Sequence, residues 1–305
     1  MDFGKVPSPW LSKIDFSIPS QDPRTWLQFR MHGEKDGLRV GIGCPVWGVK
    51  DWLGSVYPKT ADPKDFLFHY SRQFNSIELN TTHYRIPDLP TIRKWRDTVP
   101  DDFRFNPKFP QELSHRYPLS PQVPEFKEFV RSMMGLEDKL GITFLQLPPH
   151  FNPDHLRELR NFLFALPVDF PVAVEVRHPA FFHEHMLIDP LYDILVKAGA
   201  HTVITDVAGR RDVLHTSLTS LKVMVRFIGN DLHPTDQTRI QDWVNLLHHW
   251  IELGLKQVEF FIHEPADRNA PHLISQFTDL MNEECNLRIR KWKPEKTAEQ
   301  LMLFS

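Results

Sequence analysis

Apolar and polar positions fall into a regular alternation from Leu38 to about residue 283. Short apolar runs lie at 38–43, 75–80, 103–108, 143–147, 171–177, 201–206, 222–228 and 257–263. Their period of two is that of β-strands with at least one buried face. In the run 171–177, Val172, Val174 and Val176 share one face while Glu175 and Arg177 take the other. Segments with helical spacing separate the runs, at 64–73, 89–97, 124–134, 153–165, 187–198, 238–253 and 270–282. Asn152-Pro153 predicts a helix start, and Gly199 and Gly254 predict helix stops. The connection 207–221 is the least helical of the set.

Eight strands alternating with helices over 38–283 predict an α/β fold, a TIM (β/α)8 barrel of ordinary size. A doubly wound open sheet is the alternative. The facing of side chains favours the barrel. One face of each strand is apolar, as at Ile77 and Leu79 or Val223, Val225 and Phe227. The other ends in a polar group: Glu78 and Asn80, Lys108, Gln146, Glu175 and Arg177, Asp206, Arg226, His263. In the first strand Gly41 and Gly43 take that face and leave room. Polar ends converging from every strand require a common mouth. Residues 1–37, rich in proline and scattered aromatics, predict an extension that wraps or docks on the barrel; 284–305 predict a short basic tail.

Several segments, in order, resemble the YecE-like family, a domain of unknown function also called DUF72. They are GIGCPVWGVKDWLGSVYP (41–58), SIELNTTHYRIP (76–87), FRFNPKFPQELSH (103–115), LQLPPHF (145–151), AVEVRHPAFF (173–182), VRFIGND (225–231) and the region around FFIHEPADRNAPH. The resemblance implies a TIM barrel with an enzyme-like pocket and brings no established reaction. Two departures stand out. The family's first motif continues Ser-Gly-Trp where this chain has Cys44-Pro45-Val46-Trp47, and its last strand ends in asparagine where this chain has His263-Glu264.

Composition narrows the function classes. A net charge of −3 over 305 residues gives no broad electrostatic footprint for nucleic acid or anionic lipid, although a local basic groove is compatible with it. Cys44 and Cys285 are isolated, which points to a reducing compartment and a cytoplasmic location. No run of about 18 apolar residues predicts a membrane span.

Active sites of such barrels lie at the C-terminal ends of the strands. There the acids Glu78, Glu175 and Asp206 face the bases Lys108, Arg177 and Arg226, three against three. As a site, the bases would clamp a phosphate or carboxylate and Glu175 or Glu78 would transfer protons, with Asp206 orienting them. As plain structure, the six would be an ion-pair network closing the barrel. His115 and His178 are acid–base candidates. Asn80, Gln146, Trp47, Tyr84 and Asn230 are candidate substrate contacts. His263 and Glu264 are candidate ligands for a divalent metal, a reading the three cations in the same mouth disfavour. Cys44 reads as a buried small residue.

After Asn286 a basic stretch runs to Lys296, and the chain ends in Ala298-Glu-Gln-Leu-Met-Leu-Phe-Ser305. Gln300, Leu301, Leu303 and Phe304 resemble the pentapeptide by which bacterial replication and repair proteins hold the sliding clamp. The alternative is a final amphipathic turn docked on the barrel. With such a tether the favoured function is an enzyme acting on a phosphate-bearing substrate, with hydrolysis of phosphoester bonds in nucleic acid as the leading case. A sugar-phosphate or carboxylate isomerase or lyase, or a barrel that binds an anionic small molecule without catalysis, are the alternatives.

Overall fold

The computed structural model describes residues 4–33, 37–116 and 119–294. Ten strands follow in chain order: β1 Arg39–Gly43, β2 Ser76–Leu79, β3 Arg104–Pro107, β4 Thr143–Gln146, β5 Val172–Glu175, β6 Phe182–His183, β7 Met186–Leu187, β8 His201–Asp206, β9 Lys222–Ile228 and β10 Gln257–His263. β6 and β7 form a small antiparallel hairpin. The other eight coincide with the eight predicted runs, and their pairings are all parallel. The fold is mixed α/β with a parallel central sheet.

The sheet is not paired continuously through eight strands. Six strands run in the order β1-β10-β9-β8-β5-β4, and β2-β3 form a separate pair. Sparse links span the two seams. Glu78 N donates to Cys44 O at 3.1 Å beside β1, and Phe109 N donates to Phe144 O at 3.0 Å beside β4. Glycine allows the first approach: a Cβ on Gly43 would lie 1.9 Å from Ser76 O.

Helices flank the sheet at Phe66–Gln73, Leu89–Thr98, Pro124–Met134, Leu156–Phe164, Asp189–Lys197, Pro234–Glu252 and Ala270–Glu284, close to the predicted segments. Gly199 and Gly254 have positive φ, as their helix-stop role requires. The connection after β8 carries no α-helix. Its place is taken by a helix of the N-terminal extension, Pro23–His32. Thr25 Oγ1 donates to Thr216 O at 2.8 Å and accepts from Leu218 N at 2.8 Å. Asp22 is fully buried, paired with Arg24 and accepting from Ser217 Oγ. Phe29 joins the main core. A segment outside the repeating pattern thus completes the helical layer.

The C-terminal stretch is docked rather than free as far as Lys293. Ile289 N donates to Asn282 Oδ1 at 2.7 Å, Arg290 donates to Ser71 O at 2.7 Å, and Leu287, Ile289 and Trp292 pack on the core. The apolar side chains offset the basic ones that made this stretch read as a tether. No helix among the described residues is long and apolar enough to cross a membrane.

Candidate functional site

Strand parity decides which side chains meet at the C-terminal ends. Phe144, Ala173, Val203, Met224 and Phe261 form one inner apolar cluster together with Ile142. Two residues further along each strand, hence on the same face, come Gln146, Glu175, Thr205, Arg226 and His263. The inner cluster is thereby capped by a polar layer. Ser76 and Asn106 precede Glu78 and Lys108 in the same way.

The deepest part of that layer is sealed. Arg226, fully buried, donates from Nε and Nη2 to Oε2 and Oε1 of Glu78, both at 2.9 Å, and from Nη1 to Glu175 Oε2 at 2.8 Å. Asn80 Nδ2 donates to Glu78 Oε1 at 2.8 Å, and His263 Nε2 lies 2.8 Å from Glu78 Oε2. All four acceptor positions of Glu78 are occupied. Burial works to raise its pKa, but Arg226 and His263 hold the carboxyl well below the usual range. Burial likewise opposes ionisation of Glu175, and Arg177 and Arg226 overcome it, lowering the pKa to about 2. Both glutamates are therefore anions that hold arginines, and they are weak bases near neutrality.

A second tier, above the seal, touches solvent: Lys108, Gln146 and Arg177 are each 6% exposed. Gln146 Oε1 accepts from Arg177 Nη2 at 2.8 Å and from Lys108 Nζ at 3.1 Å. Arg177 Nε also donates to Glu175 Oε1 at 2.6 Å. Among the described residues, no carboxylate forms a salt bridge with Lys108. Burial and the nearby Arg226 lower its pKa to about 8.

His115 stands at the rim, its Nδ1 2.7 Å from Ser114 Oγ and its ring 5.3 Å from that of His83. Burial and Lys108 lower both imidazoles, His83 to about 4. His83 was not singled out from the sequence; its place three residues past Asn80, in the turn after β2, was the available signal. Tyr84 is 71% exposed beside it, and Trp47 packs edge-on against Trp95 at 5.4 Å.

Asp206 does not join this cluster. In the β8–β9 register Thr205, not Asp206, lies opposite Arg226, so Asp206 faces the outer layer. There it is fully engaged by Arg239 at 2.9 Å, by Arg211, and by Trp243 Nε1 at 2.8 Å. Arg211 also donates to Phe16 O at 3.0 Å, so Asp206 anchors the extension. The reading of Asp206 as a mouth residue erred by one residue of parity. Its inward neighbour Thr205 is buried, and its Oγ1 has no hydrogen-bond partner among the described residues.

The remaining candidates are dispersed. His178 Nδ1 accepts from Ala180 N at 3.1 Å and caps its own turn. Asn230 is committed to Asp236, which accepts from its backbone and side chain at 2.8 Å each. Glu264 accepts from Asp231 N at 2.7 Å, beside a cavity of about 520 Å³ also lined by Lys5, Asn230, His263 and Asp267. Burial and Asp236 raise its pKa to about 7. His263 and Glu264 point to different partners, and among the described residues no three His, Cys, Asp or Glu side chains converge as a metal-ligand set. Cys44 is buried and its thiol pKa pushed up by burial, in keeping with a packing role. Gln300, Leu301, Leu303 and Phe304 lie outside the described residues.

A parallel α/β fold with a buried, polar strand-end cluster defines the class. The sequence profile described as "Protein of unknown function DUF72" matches residues 41–298, and the chain belongs to that family. It is 33% identical over 253 residues to the UPF0759 protein YecE of Escherichia coli K12, covering 77% of this chain and 90% of that one. It is 27% identical over 207 residues to the UPF0759 protein YunF of Bacillus subtilis strain 168, covering 63% and 71%. Two crystal structures share the fold. A DUF72 family protein from Enterococcus faecalis V583 has a TM-score of 0.65 at 17% identity, covering 84% of this chain and all of that one. Another from Thermotoga maritima MSB8 has a TM-score of 0.62 at 22% identity, covering 80% and 99%.

Proposed function

We propose that the strand-end cluster is the substrate site of an enzyme and binds the phosphate or carboxylate of an anionic small molecule. The observation that carries this reading is a charge imbalance. With Asp206 turned away, the cations Lys108, Arg177 and Arg226 meet two carboxylates among the described residues, Glu78 and Glu175, three against two, leaving one positive charge. Arg226 and Arg177 are paired with the two glutamates, so the excess lies at Lys108, in the tier that reaches solvent. An anion there would restore neutrality in a site of low dielectric. Proton transfer then falls to His115 and His83 rather than to the saturated Glu78.

In this reading the two sheets are one (β/α)8 barrel, with the hydrogen bonds at both seams and the β1–β10 pairing as support. A small anion is favoured over nucleic acid, whose binding draws on several exposed Lys and Arg side chains along a phosphate backbone. A small aperture with one surplus charge suits a sugar phosphate or a carboxylate.

The test is titration of the full chain with inorganic phosphate and with acetate at pH 7, followed by calorimetry. Saturable binding, weakened about tenfold or more in Lys108→Met, is expected for loss of a buried charge-assisted contact. Binding of neither anion, or binding unaffected by the substitution in a folded variant, would overturn the proposal.

A further inference from the structure

The solvent-touching tier also holds a primary amine, that of Lys108. Lys108 follows directly on β3, is nine-tenths buried, and its Nζ has a single hydrogen-bond partner among the described residues, the neutral amide oxygen of Gln146. The charged and titratable groups around it come from several elements: Glu78 on β2, Glu175 on β5 with Arg177 following, and Arg226 on β9. His83 and His115 complete the set from the loops after β2 and β3. Among the described residues no carboxylate forms a salt bridge with the amine, and Arg226 and Arg177 lie near it with Glu175 and Glu78. Desolvation beside other cations is the setting in which a lysine gives up its proton and becomes a nucleophile. Both imidazoles, pushed toward their neutral forms by burial and by Lys108, are proton acceptors at pH 7.

We propose that Lys108 forms an imine with the aldehyde or ketone carbon of an anionic substrate whose acidic group is directed by Arg177. This rests on the anion-binding reading above and narrows its substrate class to carbonyl compounds carrying a carboxylate or phosphate. The neutral Nζ adds its lone pair to the carbonyl carbon, and a C–N bond forms as the carbonyl π pair moves to oxygen. His115 takes a proton from the nitrogen and passes it to that oxygen, giving the neutral carbinolamine. The carbinolamine then expels its hydroxyl as water while the imidazole moves the remaining nitrogen proton to it, leaving C=N. Amine plus carbonyl gives imine plus water, and no redox partner is needed.

Glyoxylate, the smallest aldehyde carboxylate, is the probe, with cyanoborohydride supplying the hydride that reduces C=N to a stable secondary amine. Peptide mapping of the intact chain reads which lysines carry the added carboxymethyl group. Lys108 is expected to label at least about tenfold faster near pH 7 than the exposed Lys64 and Lys197, because more of it is neutral there. Its rate should climb with pH and level off above about 8. Phosphate should slow it, and Lys108→Arg should remove it while melting like the parent. Labelling of Lys108 no faster than Lys64 would overturn the imine. If phosphate still binds through Lys108 in that case, the anion site stands and only the nucleophile falls; if phosphate binding is absent too, both readings fall.

Discussion

Arg226 on β9 grips Glu78 on β2 through two parallel hydrogen bonds of 2.9 Å, joining the six-stranded sheet to the two-stranded one. The two strands share no ladder. The pair does at the mouth what backbone pairing does elsewhere in the sheet, and Glu175 extends the grip to β5.

Removing one side of that grip leaves charge buried without a partner. Arg226→Met leaves the buried Glu78 without its arginine and Glu175 with Arg177 alone, and a loss of about 3–5 kcal/mol is expected in urea unfolding. The double variant Arg226→Met, Glu78→Gln should recover part of it, since fewer uncompensated charges remain. Equal losses in single and double variants would show that the pair is not coupled.

Glu264 gives stability a pH dependence of defined sign. Its folded pKa of about 7 lies above the unfolded value of about 4.3, so the folded state holds the proton more tightly. The contribution is complete below about pH 4.3 and disappears as the pH rises through 7. Glu264→Gln cannot ionise, so its melting temperature relative to the parent should be higher at pH 8 than at pH 5. A difference independent of pH would refute the raised pKa.

The helix Pro23–His32 is expected to be an integral part of the folded unit. Phe29→Ala, which empties a core position, should cost about 3–5 kcal/mol, as for a buried aromatic in any core. Substituting the exposed Met31 on the same helix serves as the control, with a change within about 0.5 kcal/mol. A small effect at Phe29 would mean that the extension is only loosely attached.

The terminal pattern Gln300, Leu301, Leu303, Phe304 predicts that a labelled peptide covering Lys291–Ser305 binds a bacterial sliding clamp with micromolar affinity. Leu303→Ala with Phe304→Ala should abolish it. No binding by the parent peptide would leave the small-anion reading without a nucleic-acid connection.

Much of this molecule is legible along the chain because its strands and helices are set by local periodicity. The eight runs, the helix stops at Gly199 and Gly254, and the outward valines of β5 all follow from side-chain spacing. So does the gathering of Glu78, Lys108, Gln146, Glu175, Arg177, Arg226 and His263, since two-residue parity and strand direction are sequence properties. Tertiary structure alone decided what those residues do to one another. Which cation each carboxylate takes depends on register between strands far apart in sequence, and that register saturated Glu78, set Lys108 against the amide of Gln146 and turned Asp206 outward to Arg239. The helix that fills the gap after β8 comes from the opposite end of the chain, a placement set by shape and buried hydrogen bonds that carries no mark in local spacing.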